Sequence, residues 1–186
     1  MIKGGIGGAN TSTGLKFEKR TNLHDFIKSL DGYMVTPNDK KDVTTSRWLI
    51  HYKNEEVGEI FKQHGLYRYL DEFEGYNWKK ILSKKILPDD GIFVIANNTV
   101  YIIEKKYQAR AGSVDEKLQT CDFKKKQYKK LFAPLNKDVE YYYLLEKEWF
   151  ERDEYKDVFD YIISSGCHYY FDYIPFNKLG LPIPEK

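Results

Sequence analysis

The stretch "PDDGIFVIANNTVYIIEKK", Pro88 to Lys106, decides how this chain is read. Two aspartates open an apolar run, Asn97 and Asn98 interrupt it, and a second apolar run ends in Glu104-Lys105-Lys106. Isoleucine, valine, phenylalanine and tyrosine fit half-buried strands, and asparagine tolerates the positive φ of a tight turn. The stretch therefore predicts a β-hairpin with charged ends. Side chains alternate along a strand, so Val100, Ile102, Glu104 and Lys106 share one face. A two-residue Asn97-Asn98 turn pairs Ala96 with Thr99, Gly91 with Glu104 and Asp89 with Lys106. Asp89 and Glu104 are then diagonal neighbours on one face, about 7–8 Å apart at Cα, and Asp90 points the other way. A three-residue turn would shift the register by one and exchange the two aspartates, which keeps Asp90 as the alternative.

Two carboxylates converging at a strand end need a cation. Hard oxygen donors with room for water suit Mg²⁺, which binds through one or two carboxylates and substrate phosphate. Lys106 beside them can orient a water or stabilise charge building on a phosphate. The plainer alternative is a salt-bridged hairpin end, contributing about 1 kcal/mol or less. The tripeptide [DE]-x-K says little by itself. It recurs at Asp39-Lys40-Lys41, Asp115-Glu116-Lys117, Asp122-Phe123-Lys124 and Glu154-Tyr155-Lys156, in a turn or in helical segments. Glu104 alone among them closes a run of strand formers, "TVYII".

Outward from the hairpin, a helix is predicted from Thr13-Gly14 to about Leu30, with Leu23, Phe26, Ile27 and Leu30 at helical spacing and Asp31-Gly32 as its stop. Tyr33 to Pro37 and Arg47 to Tyr52 read as strands. Asn54 to Ile86 read as helices broken at Gly65 and near Gly75. Ser113 to Phe132 reads as one long helix, with Ser113 as N-cap and Glu116 at capping-box spacing. Val139 to Leu145 is a strand, Asp153 to Gly166 a helix stopped by Gly166, and Cys167 to Ile174 a last strand. The tail from about residue 175 is proline-rich and extended. Strands, a hairpin and two strand-helix-strand crossovers imply one α/β domain over residues 1–186, with a mixed central sheet flanked by helices.

The chain has 186 residues, 41% hydrophobic and 31% charged, which describes a globular domain able to bury a core. No apolar run approaches the roughly 20 residues of a membrane helix, and "MIKGGIGGANTSTG" lacks a signal-peptide core. Two cysteines, Cys121 and Cys167, argue against a disulfide framework and for a reducing cytoplasm. The net charge of +2 does not announce a nucleic-acid binder, although lysines cluster at 79–80, 84–85, 105–106, 124–126 and 129–130. "GGIGGA" follows no strand and lacks the Gly-Lys-Ser/Thr of a phosphate loop. The four histidines show no paired metal spacing, and the sixteen tyrosines crowd strands, where packing accounts for them. The apolar tail residues Ile174, Phe176, Leu179, Leu181 and Ile183 are expected to cover the domain's own sheet.

Pro88-Asp89 followed by Glu104-x-Lys106 resembles the PD-(D/E)XK nuclease superfamily, and the element order resembles its restriction-endonuclease-like core. "GGANTSTGLKFEKRTNL" (Gly7 to Leu23) is similar to the first-helix segment of that branch. The resemblance implies Mg²⁺ held by Asp89, Glu104 and the Lys105 carbonyl. It places Glu18 on a metal water and makes Lys106 the group that positions nucleophile and phosphate. Gln108 matches a polar position often found after the motif. Gln108, Lys124 and Lys125 are the expected DNA contacts. Length and N-terminal motif look most like the small catalytic subunits of heterodimeric type IIS restriction endonucleases, whose larger nicking subunit reads the sequence and cuts the other strand. Double-stranded DNA and such a subunit are the implied partners. A junction resolvase or repair nuclease, or a non-catalytic protein-binding scaffold of the same fold, would share these elements.

Overall fold

A computed structural model describes residues 21–39, 44–108 and 114–184. Seven strands form one sheet in chain order: β1 (Tyr33–Pro37), β2 (Arg47–Tyr52), β3 (Glu55–Phe61), β4 (Asp90–Val94), β5 (Thr99–Lys106), β6 (Asp138–Leu145) and β7 (His168–Phe171). The first five form an antiparallel meander, and β6 and β7 add in parallel. The parallel pairs need crossovers, which helices supply. α1 (Leu23–Lys28) precedes β1 and α2 (Gly65–Leu70) follows β3, while α3 (Val114–Leu118) and α4 (Cys121–Phe132) link β5 to β6. α5 (Lys147–Phe150) and α6 (Lys156–Ser164) link β6 to β7. The fold is the α/β mixed sheet with flanking helices that the sequence predicts.

The hairpin forms with a four-residue loop, Ile95 to Asn98, instead of two residues. Asp90 pairs with Ile103, Gly91 with Ile102 and Val94 with Thr99. The Ile95 amide donates to Val57 of β3 at 3.0 Å, so Ile95 stays with the neighbouring strand. The Asn97 side chain accepts the Thr99 amide at 3.2 Å, and Asn98 takes the left-handed φ of 52°. Each pair in β4 and β5 is thus displaced by two residues from the expected register. An even displacement leaves every side chain on its predicted face.

The two-residue asparagine turn occurs one hairpin earlier. Lys53 and Asn54, at φ 48° and 68°, join Tyr52 to its partner Glu55. This corrects the helical reading of Asn54 to Ile86: its first part is β3, an interior strand of the sheet. Glu59 disguises that strand by placing a charge among apolar residues. The structure buries it and supplies Arg47 of β2, whose Nε donates to Glu59 Oε1 at 2.5 Å. Gly65 opens α2 instead of breaking a helix, and a 3-10 turn, Trp78–Lys80, is the other helical piece before β4.

Three further boundaries move. α1 runs from Leu23 to Lys28 after an extended Asn22, so the helix expected from Thr13 to Leu30 is not continuous through Asn22, and residues 13–20 lie outside the described residues. The long helix predicted from Ser113 is two helices. The Thr120 hydroxyl donates to the Lys117 carbonyl at 2.7 Å and the Tyr143 hydroxyl to the same oxygen at 3.0 Å, capping α3 before α4 starts. Ser113, the proposed N-cap, lies outside the described residues. The last strand stops at Phe171 because Asp172 turns to φ 57°, its side chain accepting the Lys147 amide at 3.1 Å.

The sheet carries a core on each face. Phe61, Val100, Ile102, Tyr141 and Tyr143 pack with α2, α4 and α6 on one face. Ile60, Ile92, Val94, Ile103 and Leu144 pack with α1 and the tail on the other. Leu179 and Leu181 are buried there, after a 3-10 turn at Phe176–Lys178. The tail therefore covers the domain's own sheet, and it is less uniformly extended than its prolines suggest. Among the described residues no helix is long and apolar enough to cross a membrane.

Candidate active site

Continuing the observed register one step past Asp90–Ile103 sets Asp89 beside Glu104, a closer approach than the predicted diagonal. Both lie on the α4 face of the sheet, with Lys106 two residues on. Gly91 follows Asp89 on that face, and a Cβ there would run into the Phe61 ring of β3. Glycine thus lets the strands close up directly below the carboxylates.

The Lys106 ammonium draws the group together. It lies 3.0 Å from Glu104 Oε2, 3.1 Å from the Lys105 carbonyl oxygen and 3.9 Å from Asp89 Oδ2. The Lys105 amide donates to Asp89 Oδ2 at 2.7 Å and fixes that carboxylate against the strand. Glu104 is nearly buried, while Asp89 leaves 42% of its side chain exposed. Burial and the neighbouring Glu104 charge push the Asp89 carboxyl above its ordinary range, and Lys106 and the Lys105 amide oppose that shift. With so much of Asp89 in water, screening moderates the effect.

Lys124 reaches the same carboxylate from α4, 3.1 Å from Glu104 Oε2. One turn further along α4, Tyr128 is fully buried and its hydroxyl has no hydrogen-bond partner among the described residues. Burial, Glu104 and Asp89 hold that phenol protonated well above its usual pKa. A buried hydroxyl without a partner is costly, so a water is expected beside it.

The donors suit a hard divalent cation. Two carboxylates and a backbone carbonyl converge on one ammonium, and Mg²⁺ needs no more protein ligands than that because it keeps several waters. Among the described residues no group of three or more His, Cys, Asp or Glu side chains gathers to hold a metal.

Asp90 lies on the opposite face. It is fully buried, 2.5 Å from Lys105 Nζ and 3.6 Å from Lys62 Nζ. Neither oxygen makes a well-angled hydrogen bond, so these contacts are ionic. They border a cavity of about 70 Å³ with largely apolar walls, among them Leu23, Phe26 and Leu179. Asp172 also lines that cavity, and the Asp89 cluster lies across the sheet from it.

The remaining predicted residues divide as follows. Glu18 lies outside the described residues. Gln108 is buried, and both its amide atoms lack partners among the described residues. Lys125 is buried, with its ammonium on Glu140 at 3.1 Å and on the Gly166 carbonyl, where it ties α4 to the start of β7. Cys121 and Cys167 are buried free thiols. Sequence reasoning missed Tyr128 beneath Glu104 and the Lys62–Asp90 contact. Lys62 had no legible partner while β3 was read as helix. No family model matches the chain, and neither the curated proteins nor the solved structures contain a significant match to it.

Proposed function

We propose that the chain is a Mg²⁺-dependent endodeoxyribonuclease of the PD-(D/E)XK type. In this reading it is the catalytic subunit of a type IIS-like restriction system and works in the cytoplasm. One observation carries the reading: the Lys106 ammonium contacts Asp89, Glu104 and the Lys105 carbonyl at once, so the three oxygen donors and the lysine share one locus. The even register shift strengthens the choice of Asp89 over Asp90.

In this reading Asp89, Glu104 and the Lys105 carbonyl hold the metal. Bound Mg²⁺ would neutralise phosphate charge and make a nearby water more acidic. Lys106 has three donors: Glu104 and the Lys105 carbonyl take one each, and the third, on the side of Asp89 at 3.9 Å, can turn to a phosphate oxygen. Its fixed position stabilises negative charge as the phosphorus becomes five-coordinate, and no reorganisation is needed at that moment. The expected products carry 5′-phosphate and 3′-hydroxyl ends.

The mild net charge of +2 supports dependence on a larger sequence-reading subunit, since a chain that finds its own site carries a stronger basic footprint. The test is to mix the chain with a candidate large subunit, duplex DNA and Mg²⁺ and to follow each strand separately. Glu104→Ala should lose cutting of one strand by about a thousandfold, the several kcal/mol that metal catalysis supplies. Equal cutting by wild type and variant would refute the catalytic role. Efficient cutting of a defined sequence by the chain alone would refute the dependence on a partner.

A further inference from the structure

Glu104 Oε2 receives two ammonium groups, Lys106 at 3.0 Å and Lys124 at 3.1 Å. The two lysines are held differently. Lys106 also touches the Lys105 carbonyl and faces Asp89, so three groups of the hairpin fix it. Lys124 comes from α4, keeps 31% of its side chain exposed, and among the described residues makes its ion pair with Glu104 alone. Two carboxylates and two ammonium groups leave the cluster electrically neutral. A divalent cation added at the same oxygen leaves two positive charges in excess and repels both lysines. Lys124 is the one with a route into solvent, and a nucleic-acid phosphate brings the negative charge that would receive it.

We propose that Lys124 is a positioning residue with two partners: Glu104 in the DNA-free protein and a backbone phosphate in the DNA complex. This rests on the metal-dependent nuclease reading of the same site. Without DNA, Lys124 competes with Mg²⁺ for Glu104 and keeps metal affinity low. A phosphate that takes over its ammonium frees Glu104 for the metal. Phosphate binding and metal binding therefore favour each other, and by linkage the coupling is reciprocal. The chain's own lysine thereby keeps the metal site closed until a substrate phosphate is present.

The test is calorimetric titration of Mg²⁺ into the full chain without DNA. Lys124→Met keeps most of the apolar stem and removes the charge, and it should bind Mg²⁺ about tenfold more tightly than wild type. Lys124→Arg should bind as wild type does, which separates charge from packing. With a short duplex of non-hydrolysable linkages present, the Met variant's advantage should vanish. The salt dependence of its duplex binding should fall by a slope of about one, the signature of one lost phosphate contact. Asp89→Asn is the control for the site itself. If it loses Mg²⁺ while Lys124→Met binds no tighter than wild type, the lysine proposal is overturned and the nuclease reading stands. If Asp89→Asn binds Mg²⁺ like wild type, both fall.

Discussion

Asp89 and Asp90 are adjacent in the chain and sit on opposite faces of one sheet. Asp89 is partly exposed, accepts one backbone amide and meets a second carboxylate. Asp90 is fully buried, and its ion pairs among the described residues are with two lysines. One aspartate has its charge opposed by a like neighbour, while the other is surrounded by compensating charge. The difference teaches where function and stability separate in this molecule. A carboxylate held in an unfavourable setting marks a candidate functional site. A carboxylate with its cations already in place is part of the scaffold.

The comparison breaks most readily at Asp90. Asp90→Asn leaves the Lys105 ammonium buried without its partner and should cost about 3–5 kcal/mol in urea unfolding, with Mg²⁺ binding retained in the folded fraction. A loss under about 1 kcal/mol would mean that water reaches this pair and that the two faces differ less than the geometry indicates. Gly91→Ala is the intermediate case. The added methyl meets Phe61, so the variant should lose about 1–3 kcal/mol, and Phe61→Leu in the same chain should restore part of it. No restoration would show that the glycine matters for some other reason than its approach to that ring.

Asp89→Asn should have the smallest effect on stability, and of the opposite sign. The folded carboxyl titrates above its unfolded value of about 3.9, so the native state binds the proton more tightly. Its ionised form therefore costs stability as the pH rises from about 4 through the raised folded value, and the cost is constant above it. The neutral variant should be slightly more stable than wild type at neutral pH, with screening keeping the gain small, and equal to it in acid. A variant less stable than wild type at neutral pH would place Asp89 with Asp90 among the scaffold residues.

The sequence determined much of this arrangement by itself. Alternation has a period of two, so "PDDGIFVIANNTVYIIEKK" assigned Asp89, Glu104 and Lys106 to one face and Asp90 and Lys105 to the other. That assignment survived a register error because the error was even. The mixed sheet and its crossover helices were likewise legible from local pattern. Tertiary structure alone decided the rest. The loop took four residues because β3 claimed the Ile95 amide, and β3 itself was hidden by a glutamate that becomes buried only when Arg47 of the neighbouring strand β2 meets it. Lys124 reached Glu104, and Lys62 reached Asp90, across 20 and 28 residues of chain respectively. Local pattern fixes which way a side chain points, but what it meets depends on which distant segments fold against it.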